Sequence, residues 1–341
     1  MTDSESTDNP VPGLPDSLGL DQADPELAAA VEDGLGKVED MLRSVVRSDV
    51  DFIDQAALHL LKAGGKRFRP LFTLLAAQFG TGNTEEVLTA ATAVELVHQA
   101  TLCHDDVMDE ATMRRGDVSV NARWDNSIAI LTGDFLFAHA SRLVARLGSE
   151  ATLIIGETMG ELVTGQMRET VGPREGEDPV SHYLGVIGQK TGSLIATSGR
   201  YGGMFSGVTP AQVQALRRFG DVIGAAFQIS DDIIDIASPA TESGKIPGTD
   251  LREGVRTLPM LYALAEDGDP RLRELLSGPI TEDDDVAEAL DRLRTSSGLE
   301  RARKTVYGYA ESARTELDSL PACPAHDALD MLTRYVVERT R

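Results

Sequence analysis

The sequence predicts an all-α protein. From residue 25 onward, apolar residues recur at helical spacing, and helix start and stop signals such as Pro25, Gly80 and Thr84 separate the runs. No segment alternates polar and apolar residues as a β-strand would. Two long apolar runs end in the same acidic pattern, Asp-Asp-x-x-Asp, at residues 105–109 and 231–235. We expect these stretches to meet, so residues 25–341 form one domain of roughly a dozen helices.

The helices follow from local signals. Residues 1–24 are acidic, rich in Pro and Ser and free of Lys and Arg, which predicts a disordered tail. A Gly/Pro/Ser loop is expected over residues 237–249, and Thr281 ahead of Glu282 caps one of several short helices that follow it. The principal helices are expected over residues 25–47, 49–62, 68–79, 84–109, 118–147, 150–170, 180–205 and 210–235.

Composition excludes several functions. The 341 residues carry 55 acidic and 32 basic side chains, a formal charge of −23, which argues against nucleic acid and anionic membranes as partners. Two cysteines, Cys103 and Cys323, are too few for a disulfide framework and fit a reducing cytoplasm. Cys103 is interpreted as a small buried hydrophobe. No apolar run of about 18 residues appears, so no membrane insertion is expected.

Each acidic stretch places carboxylates on one helix face, because positions i and i+4 of a helix are neighbours. Like charges so close need a cation between them, and oxygen ligands suit Mg²⁺ shared with a phosphate. A solvated acidic face is the alternative for either stretch alone, but both follow apolar helices. The predicted carboxylates are Asp105, Asp106, Asp109, Asp231, Asp232 and Asp235.

Basic residues gather near these stretches. Lys66, Arg67 and Arg69 stand beside Gly64-Gly65 at a helix start, a place suited to an anion. Alone, His98 would be interpreted as a satisfied core residue. The other candidate cations are Arg114, Arg115, Lys190 and Lys245. Carboxylates for a metal together with clustered cations predict a diphosphate site.

The motifs together resemble the trans-prenyltransferases, the head-to-tail isoprenyl diphosphate synthases, and among them the medium- and long-chain members. The resemblance runs from about residue 30 to the end. It is carried by GGKRFRP, ELVHQATLCHDDVMDEATMRRG, GQKTGSL, FQISDDIIDI and GKIPGTDLREG, in the family's order. It implies the isoprenoid synthase fold, a helical bundle around a deep central cavity with the two acidic motifs at its mouth, and a homodimer.

The resemblance also implies roles. The direct ligands of about three Mg²⁺ would be Asp105, Asp109 and Asp231, with Asp106, Asp232 and Asp235 as bridging or supporting partners. The allylic diphosphate would lie against Arg114, Lys190, Thr191, Gln228 and Lys245. Isopentenyl diphosphate would lie against Lys66, Arg69, Arg115 and His98, which replaces the core interpretation of His98. Asp250 would be a further acid on the metal side and Gln166 a polar group near the reaction. The family's usual Lys after DLxEG is replaced by Val255, with Arg256 next.

The implied reaction is ionisation, condensation and elimination. Mg²⁺ and the cations would stabilise the departing pyrophosphate, the isopentenyl double bond would attack the allylic cation, and the released pyrophosphate would accept the proton. Apolar walls would exclude water.

Product length depends on the helix below Asp105. Ala100 and Thr101 lie one turn below it and Val97 a further turn down, without an aromatic plug. One turn rises about 5.4 Å, close to one isoprene unit, so a product of about six to ten units is expected. That length suits a quinone side-chain precursor. A Phe at position 100 would then shorten the product to about three or four units. Phe72, Phe135 and Phe137 are possible floors, although core packing is preferred for them.

Four alternatives remain. A class I terpene cyclase would share the first acidic motif but not the second, and would not need Lys66, Arg69 and Arg115. A short-chain geranylgeranyl or farnesyl diphosphate synthase would have the same site. A non-catalytic subunit of a heteromeric synthase usually lacks one acidic motif, and both are present here. A plain Mg²⁺ or diphosphate scaffold would leave the two apolar helices without a purpose.

Overall fold

The structure is a computed structural model that describes residues 23–237, 247–266 and 268–340. Within these ranges the predicted all-α fold is confirmed, with one small hairpin added. The elements in chain order are α1 (Pro25–Val45), α2 (Asp51–Lys62), α3 (Phe68–Ala77), α4 (Glu85–Met108), β1 (Met113–Arg114), β2 (Asp117–Val118), α5 (Val120–Arg123), α6 (Asn126–Arg146), α7 (Ser149–Val171), α8 (Pro179–Ile187), a π-helical turn (Gly188–Gly192), α9 (Ser193–Phe205), α10 (Pro210–Ala237), α11 (Thr249–Glu253), α12 (Leu258–Glu266), α13 (Pro270–Leu275), α14 (Asp283–Arg294), α15 (Ser297–Leu317) and α16 (Pro324–Glu338).

Side-chain caps set several helix starts. Asp24 was assigned to the tail, but its carboxylate accepts the N–H groups of Glu26 and Leu27 and begins α1. The rest of the predicted tail, residues 1–22, lies outside the described residues. Thr84 caps α4 as predicted, accepting the N–H of Val87 at 3.2 Å. At α14 the cap is Glu282 and makes no side-chain cap bond, so the proposed role of Thr281 is not found.

The predicted helix over residues 118–147 is wrong at its start. Ser119 and Asp125 both have extended backbones, and each accepts an N–H three residues ahead, at 3.4 Å and 2.9 Å respectively. Two cap residues in succession begin two helices, so the segment divides into the short α5 and the long α6. Helical periodicity alone did not reveal this break.

The hairpin before α5 also departs from the prediction of no strands. β1 and β2 pair antiparallel, with Met113 opposite Val118. The two turn residues, Arg115 and Gly116, have φ of 55° and 80°, the positive values that tight hairpin turns require. His59 on α2 holds the hairpin, because its Nε2 lies 2.6 Å from the carbonyl oxygen of Val118. The turn therefore presents Arg115 from a fixed position.

The predicted helix over residues 180–205 consists of three segments. Between α8 and α9, Gly188–Gly192 forms a π-helical turn that carries Lys190 and Thr191. A π-helical turn inserts a residue into the helical repeat and rotates the side chains that follow it, and such turns are frequent at functional sites.

Helix α9 is the centre of the packing, with α3, α4, α7 and α10 against it. Its glycines permit this, since a Cβ on Gly202 would lie 2.2 Å from the carbonyl oxygen of Thr73 on α3. Tyr201, Phe72 and Phe219 are among the largest fully buried side chains. Phe72 packs on Phe219 with ring centroids 5.5 Å apart, which fits the preferred core role for Phe72.

Candidate active site

A cavity of about 300 Å³ lies among α3, α4, α9 and α10. Both acidic motifs reach it, through Asp105 on α4 and Asp231 on α10. The other polar and charged groups of its lining include Lys66, Arg69, His98, Thr101, Arg115, Lys190, Thr191 and Gln228, and its apolar lining includes Leu102, Leu162, Leu194, Ile195 and Phe227. Residues that are distant in the sequence thus converge on one cavity. This agrees with the expectation that the two acidic motifs meet in the fold.

The first acidic motif ends α4. Asp106 is fully buried, and Arg114 donates to it from Nε at 2.6 Å and from Nη2 at 2.5 Å. Asp105 lines the cavity, and burial raises the pKa of its carboxyl to about 6, against the opposing effect of Lys190 and with a further rise from Asp109. Asp109 is exposed at the end of the helix. Asp105 and Asp109 therefore remain available to a cation, while Asp106 is engaged internally.

The second acidic motif ends α10 and has different partners. Asp232 is buried and accepts from the Tyr183 hydroxyl and from Gln228 Nε2, the latter at 3.0 Å. Burial raises the pKa of Asp232 to about 7, although both hydrogen bonds oppose the rise. Asp235 accepts the backbone N–H groups of Thr249 and Asp250, each at 3.2 Å.

Asp231, the predicted metal ligand of this motif, pairs with Arg339 near the C-terminus. Arg339 also lies over the Phe227 ring, 4.4 Å from its centroid. Sequence reasoning missed Arg339, because it lies 108 positions from its partner and belongs to no motif. It also missed Tyr183, seven positions before Lys190, for which only the closeness to GQKTGSL gave a signal.

The predicted anion site lies between the loop after α2 and the hairpin. Arg115 Nη1 donates to the Gly64 carbonyl and to Gln99 Oε1, the latter at 3.2 Å. A Cβ on Gly65 would lie 2.7 Å from Arg115 Cζ and would displace the guanidinium, and the φ of 135° at Gly65 also favours glycine. The three predicted groups Lys66, Arg69 and His98 line the cavity beside it.

The electrostatics of Lys66, Arg69, His98 and Arg115, here called the cationic corner, favour an anion. Arg69 Nε is buried without a hydrogen-bond partner among the described residues. Burial lowers the pKa of Arg69 to about 10, and Arg115 contributes to the decrease. Burial and the same two arginines lower the pKa of His98 well below its usual value, so its imidazole is neutral at pH 7. An anion bound here would relieve the mutual repulsion of the arginines.

Arg67 has a structural function. It pairs with Glu39, with Glu95 at 2.9 Å, and with the Leu61 carbonyl oxygen at 3.0 Å. Its backbone has a φ of 47°, in the left-handed region. Glu95 is a buried acid within an apolar stretch of α4, which was the only sequence signal for this network. Arg67 therefore shapes the loop, whereas Lys66 and Arg69 line the cavity.

Lys190 and Thr191 line the cavity from the π-helical turn. Lys190 donates to Glu169 at 2.5 Å, a partner that the sequence did not indicate. Thr191 donates to Gln228 Oε1 at 3.1 Å. Gln166, which lies on α7 about one turn before Glu169, has a buried Oε1 without a hydrogen-bond partner among the described residues.

The remaining predicted residues divide into three cases. Lys245 lies outside the described residues. Asp250 is the second residue of α11, and its backbone N–H joins that helix to Asp235. Arg256, the possible substitute for the missing Lys, is exposed, whereas Val255 is partly buried and its N–H donates to the Asp250 carbonyl at 2.9 Å.

The predicted wall below Asp105 needs a correction. Thr101 lines the cavity, but Ala100 and Val97 do not border it and are buried in the core. The α4 face that meets the cavity carries Asp105, Thr101 and His98, and Ala100 lies beside this face. The Ala100 carbonyl oxygen lies 3.1 Å from the place of a Cβ on Gly133 of α6, so these helices are in close contact.

The donors fit a shared metal site better than a closed one. Within the described ranges, no three Asp, Glu, His or Cys side chains are close enough to hold an ion alone. Asp106 Oδ2 is buried with no hydrogen-bond partner in that part of the chain. Mg²⁺ commonly takes one or two carboxylates and completes its shell with water and substrate phosphates. Asp105, Asp109 and Asp231 fit that pattern.

An all-α fold with two acidic motifs and the cationic corner around one cavity is typical of a protein that binds diphosphates. Comparisons with known proteins agree. Residues 50–293 match the family model described as polyprenyl synthetase. The chain is 55% identical to a nonaprenyl diphosphate synthase of Mycobacterium tuberculosis over 94% of this chain and 97% of the relative.

Two further relatives extend the comparison. The chain is 47% identical to a dimethylallyltranstransferase of M. tuberculosis, over 92% of this chain and 96% of that protein. The crystal structure of a geranylgeranyl pyrophosphate synthase from Corynebacterium glutamicum, complexed with calcium and isoprenyl diphosphate, is similar with a TM-score of 0.83. Its sequence is 50% identical, and the match covers 93% of this chain and 98% of that one. The chain belongs to the polyprenyl synthetase family, and it is a prenyltransferase.

Proposed function

We propose that this prenyltransferase extends an allylic diphosphate with isopentenyl diphosphate in a Mg²⁺-dependent reaction and releases an all-trans polyprenyl diphosphate. The observation that carries the proposal is that Asp105, Asp231 and the cations Lys66, Arg69 and Arg115 line one cavity. A terpene cyclase would not need the three cations Lys66, Arg69 and Arg115. The apolar part of the lining supplies a dry wall for the reacting chains.

The residues divide the work by charge. Asp105, Asp109 and Asp231 would hold Mg²⁺, which when bound stabilises negative charge on the leaving diphosphate. Lys190, on the π-helical turn, and Arg114 would hold the allylic diphosphate. Release of Lys190 from Glu169 would supply its charge to that ligand.

The second substrate would occupy the cationic corner. Lys66, Arg69 and Arg115 would fix isopentenyl diphosphate, and neutral His98 would donate a hydrogen bond without adding charge. The apolar lining would exclude water from the allylic cation between the two diphosphates. The pyrophosphate that is released would accept the final proton, since no side chain is clearly placed as a base.

We propose a product of about six to ten isoprene units. The nonaprenyl diphosphate synthase relative supports a long product, and the geranylgeranyl pyrophosphate synthase relative keeps a short one as the second candidate. The absence of an aromatic residue at Thr101, where the cavity wall begins below Asp105, favours the longer product.

A homodimer is proposed for the exposed apolar faces of α6 and α7. Leu131 on α6 is 60% exposed and Met167 on α7 is 63% exposed, and Leu153 and Val163 on α7 are exposed as well. α6 is also the one described helix long and apolar enough to cross a membrane, by length and composition. A second copy of the chain would cover this face. Light scattering should give twice the mass of one chain for the wild type and the mass of a single chain for L131E.

The decisive assay uses the pure chain, labelled isopentenyl diphosphate, an allylic primer and Mg²⁺. We expect elongation that stops on addition of a chelator, and chromatography of the dephosphorylated products should give about six to ten units. Products of three or four units would select the short-chain alternative. The absence of any elongation would contradict the proposal for the chain acting alone.

We further propose a cytoplasmic location, which the two free cysteines fit.

A further inference from the structure

A partly buried hydrogen-bond chain connects three helical segments at the second acidic motif. Thr191 donates to Gln228 Oε1 at 3.1 Å, and Gln228 Nε2 donates to Asp232 Oδ1 at 3.0 Å. The Tyr183 hydroxyl donates to the other oxygen, Asp232 Oδ2. The chain therefore runs from the π-helical turn, through α10, to α8.

Both oxygens of Asp232 are thus occupied by the protein. Asp232 is buried and does not line the cavity, whereas its neighbours Asp231 and Gln228 do. To reach a ligand in the cavity, Asp232 would have to give up its bond with Tyr183. Its contacts are those of a residue that holds the helix in place.

We propose that Tyr183 is a positioning residue, which fixes the last turn of α10 through Asp232 so that Asp231 and Gln228 face the allylic diphosphate. The inference rests on the proposed function, because it assigns the residue to that substrate. Tyr183 stands on α8, which leads directly into the π-helical turn carrying Lys190 and Thr191. One hydroxyl therefore sets the distance between two segments that would contact the same diphosphate.

The hydroxyl is suited to this task. Burial and the nearby Asp232 raise the pKa of Tyr183 well above its usual value, so the group remains a donor at neutral pH. A phenylalanine would fill nearly the same space but leave Asp232 Oδ2 without this donor. Charge-assisted hydrogen bonds of this kind are stronger than neutral ones.

The test compares Y183F with Y201F. Tyr201 is a matched control, since it is fully buried and its hydroxyl donates to the Ala151 carbonyl at 2.7 Å, outside the cavity lining. Binding of inorganic pyrophosphate in the presence of Mg²⁺ is measured by calorimetry. We expect Y183F to bind about tenfold more weakly, the loss of one hydrogen bond to a charged group. Y201F should lower the melting temperature without changing this affinity.

Steady-state kinetics provide a second readout. Y183F should raise KM for the allylic substrate and leave KM for isopentenyl diphosphate unchanged, because Lys66, Arg69 and Arg115 lie outside the hydrogen-bond chain. A general loss of structure would change both constants. Equal changes in both, or none, would overturn the inference.

A double-mutant cycle tests the route through Asp232. If Tyr183 acts through that carboxylate, adding Y183F to D232N should cause no further loss of pyrophosphate affinity. An additive loss would overturn the inference. If Y183F melts too low for calorimetry, the ratio of its two KM values, measured at lower temperature, supplies the test.

The outcomes separate the two proposals. A wild-type chain that does not elongate any primer contradicts the proposed function. A wild-type chain that elongates, with a Y183F variant that matches it in pyrophosphate affinity and in both KM values, overturns only the role of Tyr183.

Discussion

The two acidic motifs share one sequence pattern but have different surroundings. At the first motif, the buried Asp106 pairs with Arg114, eight positions further along the chain. At the second, the partners come from distant segments: Tyr183 on α8 for Asp232 and Arg339 after α16 for Asp231. Backbone N–H groups at the start of α11 complete the second set by bonding to Asp235.

The difference shows how a repeated pattern acquires two roles. The first motif and its hairpin form one local unit, in which Asp105 and Asp109 are left for a cation. The second motif is complete only when α8, α11 and the C-terminal segment are docked. It is therefore the motif whose geometry depends on the rest of the fold.

The largest expected effect comes from D105A. Asp105 has no ion-pair partner within 4.0 Å in the described part of the chain, so its loss should remove a metal ligand and leave the fold intact. We expect kcat/KM to fall by about 10³ or more in the isopentenyl incorporation assay, with an unchanged circular dichroism spectrum. An activity within tenfold of wild type would exclude Asp105 as a ligand.

R114Q should affect stability most. It would leave the buried Asp106 carboxylate without its cation, which we expect to lower the free energy of unfolding by about 3 kcal/mol. Urea titration measures the change. The control is R43Q, since Arg43 is 57% exposed and lies 4.0 Å from Glu39. That pair should contribute under about 1 kcal/mol to the free energy of unfolding. Equal losses of stability in R114Q and R43Q would contradict a structural role for the Arg114–Asp106 pair.

R339Q tests the cation of the second motif. Arg339 would compete with a metal for Asp231, so its removal should lower the Mn²⁺ concentration for half-saturation about threefold. Manganese binding followed by electron paramagnetic resonance gives the number. R334Q, which removes a 64% exposed arginine of α16 paired with Asp330, is the control and should have no effect.

The smallest effect on rate, but a clear one on product, is expected from T101F. Thr101 lines the cavity one turn below Asp105, so an aromatic ring there should shorten the product to about three or four units. A100F should instead destabilise the chain by about 1–3 kcal/mol, because Ala100 is buried and α4 contacts α6 there. Product chromatography and thermal melts distinguish the two. A shortened product from A100F alone would restore the sequence-based assignment.

Much of the fold followed from local chemistry. The helix ends at Pro25, Lys62 and Pro210 were predicted within a few residues, because caps, Pro and Gly act on their neighbours. The hairpin at residues 113–118 was not predicted, since its strands have only two residues each and show no alternation. The break before α6 was hidden by the apolar periodicity on both sides of it.

The site, like the fold, was predictable where local sequence determines it and not where contacts across the fold do. Side chains that belong to a motif, such as Lys66 and Lys190, were found from the sequence and line the cavity. Tyr183, Glu169 and Arg339 are defined by contacts across the fold, which no spacing rule reports. The orientation of Ala100 was missed because helical geometry gives the turn on which a residue lies, but the neighbouring helices decide which face is the wall.

The most direct test is a crystal structure with Mn²⁺ and inorganic pyrophosphate, in which anomalous scattering locates the metal. We predict metal peaks at Asp105 and at Asp231, with Arg339 displaced from Asp231 and Tyr183 still bonded to Asp232. Peaks at one motif only, or a metal bonded to Asp232 in place of Tyr183, would contradict it.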